Sequence, residues 1–211
     1  MVKNTTVIID YGSGNVRSLF NALSRVAQPG SHVTLSGDER VIQNANRLIL
    51  PGVGAFAECK RKLQTKALIP VFEQHIQQGR PLLGICVGMQ LFADWGLEFE
   101  KCAGLGWISG SVRELAPKDR SVNKIPHVGW TPISFHFHPL FEGIPQNSFF
   151  YFVHSYIFDC SEHTHVLAEA EHGERFTAAV AKKNILGVQF HPEKSDVAGL
   201  QLLLNFLNWN P

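Results

Sequence analysis

The hydrophobic positions of this chain follow two rhythms, one in each half. In the first half, apolar runs of strand length are separated by segments of helical period. "TTVIID" is a β-branched run that leads through the turn "YGSGN" into "VRSLFNALSRV", where apolar residues recur every three or four positions. "HVTLS" and "NRLILPG" are two more apolar runs, and helices are predicted around Glu39–Gln43, Phe56–Gln64 and Leu68–Gln78. "PLLGICVG" reads as another buried strand, and "MQLFADWG" after it follows a helical period. Apolar strands separated by helices predict a parallel sheet covered on both faces.

The second half changes texture. "GWISGSVREL", "HVGWTPISF", "SFFYFVHSYIF" and "HVLAEAE" read as strands, and "FTAAVAKKNILGVQF" as a hairpin with its tip at Lys182–Asn184. "VAGLQLLLNFLNW" closes the chain as a helix with an apolar face, and the polar stretch Pro117–Asn123 predicts an exposed loop. No repeat and no Pro/Ser-rich linker interrupts the pattern, so the expectation is one mixed α/β domain spanning residues 1–211.

Composition narrows the function classes. With 45% hydrophobic and 18% charged residues, the 211-residue chain buries a real core, which excludes disorder. Nineteen basic against eighteen acidic residues give no field of either sign, so neither nucleic acid nor a membrane is an expected partner. No apolar run approaches the ~18 residues of a membrane span. "MVKNTTVIIDYG" lacks the apolar region of a signal peptide, and none of the four cysteines stands in C-x-x-C spacing. These features predict a soluble cytoplasmic protein with free thiols.

One thiol is singular. "GICVG" has the spacing of a nucleophile elbow, with Cys86 in the place of serine between Gly84 and Gly88. The strand-to-helix turn needs small neighbours, and the helix start aims unpaired N–H groups at the sulfur. A cysteine nucleophile needs a base and a group to orient it. "GVQFHPEKS" offers both: Pro192 keeps His191 extended, and residues two apart in extended chain face the same way, which brings Glu193 beside the imidazole. Donors for an oxyanion are expected at the Val87 N–H and in the glycine turn Gly52–Val53–Gly54 of "LPGVGAF".

Other signals carry less. "GSGN" lacks the third glycine of a dinucleotide fingerprint, so no cofactor is expected there. "HFHP", with His136 and His138, has no third ligand in spacing and reads as a surface turn rather than a metal pair. Cys59, Cys102 and Cys160 read as structural or incidental.

"PGVG", "GICVGMQ" and "GVQFHPE", in that order and over essentially the whole chain, resemble the class I, triad-type glutamine amidotransferases. The resemblance implies a triad of Cys86, His191 and Glu193 acting on glutamine, without cofactor or metal. It also implies a flavodoxin-like open, mostly parallel sheet with helices on both faces, beside the antiparallel β-rich C-terminal half. By carry-over, Gln90, Ser155 and Tyr156 hold substrate. "IIDYGSGNVRSLFNAL", "IPHVGW", "FYFVHSY" and "HPEKS" resemble members that work as a separate glutaminase subunit. Those members imply a heterodimer with a (β/α)8-barrel synthase subunit that receives the ammonia, with Asn15, Trp130 and Lys194 near the interface. Thr131 stands where that subgroup carries asparagine, which leaves the acceptor open between a cyclase and a synthase that aminates a nucleotide sugar.

Overall fold

The computed structural model describes residues 4–211; the start of the expected domain, and the N-terminal residues without a leader pattern, lie partly outside the described residues. The first half supplies β1 (Asn4–Ile9), α1 (Val16–Val26), β2 (Ser31–Ser36), α2 (Glu39–Gln43), β3 (Arg47–Gly52), α3 (Phe56–Thr65), α4 (Ile69–Gln77) and β4 (Leu82–Cys86). There follow α5 (Val87–Gln90), β5 (Trp95–Gly96), β6 (Cys102–Ala103), β7 (Gly110–Glu114), β8 (His127–Pro132) and β9 (Ser134–Phe135). The chain ends with β10 (Phe149–His154), β11 (Tyr156–Cys160), β12 (Val166–Glu171), β13 (Arg175–Lys182), β14 (Ile185–Val188) and α6 (Asp196–Asn208).

An eight-stranded sheet in the order β2-β1-β3-β4-β14-β13-β12-β9 forms the frame. Its first five strands are parallel and the last three join antiparallel. Right-handed crossovers explain the two covered faces. The chain moves one way across the sheet from β1 to β2, and the other way from β2 through β3 to β4. The helices on these two routes therefore fall on opposite sides. In keeping with this, α1 packs on α6, while α2 packs on α4. Every residue of β3 and β4 is buried, as a strand covered on both faces requires. At the far end of β3, buried Arg47 donates to the Phe206 and Trp209 carbonyls and so closes the C-terminus of α6.

Two small sheets lie beside the frame, one of β10 and β8, the other of β11, β7, β5 and β6. The expected strand "SFFYFVHSYIF" divides at Ser155 into β10 and β11, which enter different sheets, and "HVGWTPISF" divides in the same manner into β8 and β9. The hairpin β13–β14 forms with its turn at the expected tip.

One helix is shorter than its periodicity predicts. After the single turn of α5, the carbonyls of Leu91, Phe92, Ala93 and Asp94 accept from the N–H groups of Leu105, Trp107, Gly106 and Gly104. Tertiary partners thus take the acceptors that a longer helix would use. Leu91, Phe92 and Ala93 are all fully buried, so the apolar run reflects a core crossing rather than one helix face.

Candidate active site

Cys86 ends β4 and caps α5 with φ 55°, a left-handed backbone that a residue with a Cβ rarely adopts, at a cost of about 1–3 kcal/mol. The surroundings impose it. A Cβ on Gly88 would collide with the Leu50 carbonyl, and one on Gly84 would lie 2.7 Å from the Met89 nitrogen. Both glycines of "GICVG" are therefore packing requirements of the sharp turn, and the turn carries the thiol to the C-terminal edge of the parallel strands. There Cys86 lines a cavity of about 440 Å³ together with Val87, Gln90, His154, Ser155, Tyr156 and His191. The helix that follows is one turn long, so its unpaired first-turn amides, not a long macrodipole, are what it offers the sulfur.

His191 reaches the same cavity from β14, the strand that pairs with β4. Its backbone is fixed twice: its N–H donates to the Tyr151 carbonyl at 2.9 Å, and its own carbonyl accepts from Ser195 Oγ at 2.6 Å. His191 is extended, as Pro192 requires, but the next residues coil into a short 3-10 turn, Pro192–Lys194. The turn, rather than continued extension, swings Glu193 under the ring. Nδ1 and Glu193 Oε1 are 2.9 Å apart, and both side chains are under 5% exposed. An ionised carboxylate only accepts, so Nδ1 carries the proton and the neutral ring presents a lone pair at Nε2. That Nε2 is buried without a hydrogen-bond partner. Burial is the largest influence on this imidazole and disfavours its charge. The nearby Cys86 sulfur and the hydrogen-bonded Glu193 carboxylate together outweigh burial and push its pKa up to about 10.

A second histidine on the cavity wall behaves oppositely. His154 Nδ1 lies 3.0 Å from the Tyr156 carbonyl, and its Nε2 lies 3.0 Å from His127 Nδ1. A carbonyl only accepts, so the directions are forced. His154 donates to Tyr156, His127 donates to His154, and the Thr131 hydroxyl donates to His127 Nε2 at 2.8 Å. A proton added to His154 Nε2 would set two N–H groups against each other, whereas one added to His127 Nε2 would turn the Thr131 hydroxyl from donor to acceptor. Burial first, then the neighbouring imidazoles, push His127 down to about 3 and His154 down to about 4, the latter against the pull of the Tyr156 carbonyl.

The glycine turn after β3 divides its tasks. A Cβ on Gly52 would lie 2.7 Å from the Gly88 nitrogen, so Gly52 is small because the elbow packs on it. Gly54 has φ +92° and open space around it, so there the backbone conformation is what demands glycine. Val53, expected among the oxyanion donors, is turned aside in this conformation. Its N–H donates to Ser13 Oγ at 3.4 Å, and its carbonyl accepts from Ser13 Oγ at 2.8 Å and from Cys59 Sγ at 3.4 Å. Cys59, read as incidental, thus has a place in holding this loop.

Gln90 lines the cavity, yet its amide nitrogen is committed to the Tyr156 carbonyl at 2.9 Å and to Gln189 Oε1 at 3.0 Å. At the surface, Trp130 meets Tyr151 edge-on, with ring centroids 5.9 Å apart, and Lys194 Nζ lies 5.5 Å from the Tyr151 centroid. Asn15 is exposed at the start of α1, beside a small void that Gly52, His191 and Glu193 also line. Sequence reasoning missed Glu98 and Phe99 at the cavity mouth, which carry no motif. It also missed Gln189, whose place is set by the pairing of β14 with β4, and Ser195, which follows the 3-10 turn after His191. His136 is exposed as expected, whereas His138 is partly buried and accepts from the Leu140 N–H. Among the described residues no group of three or more His, Cys, Asp or Glu is placed to hold a metal.

With an elbow thiol and a carboxylate-held imidazole on adjacent strands, the sequence comparison becomes decisive. Residues 7–208 match the family model "Glutamine amidotransferase class-I". The chain belongs to the class-I glutamine amidotransferases. Among relatives of this amidotransferase, "Imidazole glycerol phosphate synthase subunit HisH" of Brucella abortus (strain 2308) is 46% identical over 213 residues, covering 97% of this chain and 98% of that protein. The protein of the same name from Zymomonas mobilis subsp. mobilis is 48% identical over 214 residues, covering 99% and 97%. Solved structures repeat the amidotransferase fold at low identity. A crystal structure described as a glutamine amidotransferase gives a TM-score of 0.73 at 19% identity, covering 96% of this chain and 99% of that one. The structure of PurLQS from Thermotoga maritima gives 0.72 at 18%, covering 98% and 99%.

Proposed function

We propose that this amidotransferase is the glutaminase subunit of imidazole glycerol phosphate synthase, acting through Cys86, His191 and Glu193. The observation that carries the reading is the pairing of an elbow thiol with an imidazole whose Nδ1 is held by a buried carboxylate. The near-full-length similarity to proteins of that name supports the choice of synthase over one that aminates a nucleotide sugar.

In this mechanism Cys86 passes its proton to His191 Nε2, its sulfur attacks the side-chain amide carbon of glutamine, and the carbonyl electrons move onto oxygen. The Val87 N–H, in the first turn of α5, is the donor nearest in sequence to the attacking atom, and such a donor contributes roughly 3–4 kcal/mol. Collapse of the intermediate breaks the C–N bond, and His191 gives its Nε2 proton to the leaving ammonia. Water then attacks the thioester, His191 takes a proton from it, and the C–S bond breaks to release glutamate. Glu193 keeps the imidazole in one tautomer throughout. Ser155 and Tyr156 line the space for the substrate, and Glu98 at the mouth suits its α-ammonium group. Val53 joins the oxyanion site only after its peptide turns away from Ser13, so its rotation is the natural point of control, with Gly54 as the residue that permits it.

The partner is a synthase subunit, read here as a (β/α)8 barrel that takes ammonia before water protonates it. It docks where Trp130, Val128 and Phe149 are about half exposed beside Lys194, with Asn15 near the rim. The cytoplasm is the proposed compartment, supported by four cysteines that are all free thiols. The residues act as one unit, read as a single domain. The test is glutamate release from glutamine by the purified chain, alone and with the barrel subunit and its ligand. Stimulated release that vanishes in Cys86→Ala is expected. Release unchanged in that variant overturns the reading.

A further inference from the structure

Gln189 is the first residue beyond β14, and its place is set by the sheet. β14 and β4 pair in parallel with Val188 opposite Ile85, so the next step puts Gln189 beside Cys86. Neighbours in register lie about 4.8 Å apart and project to the same face. The Gln189 backbone is pinned by its N–H, which donates to the Ala178 carbonyl at 2.8 Å. Its side chain is fully buried, and its amide nitrogen lies 3.7 Å from the Cys86 sulfur. A buried glutamine beside a nucleophile needs an account, since a leucine there would pack at lower desolvation cost.

Which end of that amide faces the sulfur follows from chemistry alone. The Tyr156 carbonyl has no proton, so the Gln90 group 2.9 Å from it must be the NH2. The same NH2 lies 3.0 Å from one end of the Gln189 amide, which must then be the oxygen. The remaining end, the NH2, therefore points at Cys86. The chain of bonds begins at a backbone acceptor that cannot reverse, so the Gln189 amide cannot flip without setting NH2 against NH2 and its oxygen against the sulfur.

We propose that Gln189 is the donor that holds the Cys86 sulfur when it is ionised, and that Gln90 acts through it as a positioning residue rather than gripping substrate by its NH2. The inference rests on the reading of Cys86 as the nucleophile, but not on glutamine as its substrate. An N–H donor on the flank of the sulfur does two things. It stabilises negative charge, and it leaves the face toward the cavity free for attack. His191 then need only move protons, while Gln189 keeps the sulfur aimed. In the resting thiol the weak S–H contact to the Val153 carbonyl, 4.0 Å away, occupies the hydrogen that ionisation removes. The other titratable groups around the sulfur are His191 backed by Glu193 from the β14 side, Tyr11 after β1, His154 from β10 and Glu98 at the cavity mouth.

The experiment is the pH profile of Cys86 alkylation by iodoacetamide in the full chain, read by mass spectrometry of the Cys86 peptide. This separates it from Cys59, Cys102 and Cys160. Gln189→Met removes the donor at similar volume and is expected to move the profile up by about one unit, a roughly tenfold slower alkylation at neutral pH. Gln189→Glu puts an acceptor against the sulfur and moves the profile further. Gln90→Met leaves Gln189 free to turn and moves it less. That order, with melting temperatures compared alongside, is a signature that loose packing alone does not give. Profiles of Gln189→Met and Gln189→Glu that overlay the parent chain overturn the proposal, as does a parent Cys86 that no pH makes reactive. A parent Cys86 that alkylates normally but releases no glutamate from glutamine would remove the glutaminase reading and leave the role of Gln189 standing.

Discussion

Two histidines face one cavity and are tuned in opposite directions. His191 and His154 are both buried, 3% and 7% exposed, and each has its Nδ1 tied to an oxygen. His191 is tied to a carboxylate and lies beside a thiol, and it holds a proton up to about pH 10. His154 is tied to a neutral carbonyl and followed by another imidazole, and it stays neutral down to about pH 4. Burial opposes the charge at both sites, so burial does not make the difference. The charge of the partner does. One wall of the cavity thus carries a ring that holds a proton at neutral pH, and the other a ring that stays neutral.

The strongest way to break this contrast is to remove each ring. His191→Ala is expected to lower glutamate release by roughly 10³-fold or more, while His154→Ala lowers it by about tenfold through loss of shape, as steady-state kinetics would show. Equal losses would mean that both rings act chemically. Next in size, Glu193→Gln is expected to cost roughly 10²- to 10⁴-fold in turnover, since the ring loses its fixed tautomer. NMR titration of His191 in that variant should show its proton leaving well below the pH 10 of the parent.

The contrast also has a sign in stability. His191 binds its proton more tightly folded than unfolded, so its contribution is complete below about pH 6.5 and is lost as pH rises through about 10. His127 and His154 bind more weakly when folded, so their contribution is complete above about pH 6.5 and is lost as pH falls toward about 3 and 4. Urea unfolding should therefore show stability declining with acid from pH 6.5 to 4, and His127→Phe should flatten that decline. The smallest expected effect is Thr131→Val, which removes the first donor of the imidazole chain and costs about 1 kcal/mol of unfolding free energy. Thr131 thereby acquires a structural meaning: it supplies a hydroxyl donor to the buried lone pair of His127.

Much of this was legible in the sequence for a physical reason. Strands β1, β3 and β4 are apolar on both faces and cannot be mistaken for half-exposed ones, and Gly84 and Gly88 mark a turn that no larger residue fits. The site residues that escaped notice are those whose placement comes from tertiary pairing. Gln189 looks like an ordinary polar residue at a strand end until β14 is laid against β4. The one-turn α5 escaped because Leu91, Phe92 and Ala93 are buried on every side, which erases the periodicity that separates a helix from a core crossing. Glu193 was found by a rule that the chain only half obeys, since a 3-10 turn, not an extended strand, brings it under the ring.

The strand that leads to His191 is the last in the chain, slotted beside the one that ends in the sulfur, after a long excursion through β5 to β13. Under the proposed mechanism the thiol is therefore synthesised long before the imidazole that would serve it. Sulfur and imidazole are brought together by that excursion as well as by the sheet, since the His191 N–H is held by the Tyr151 carbonyl of β10.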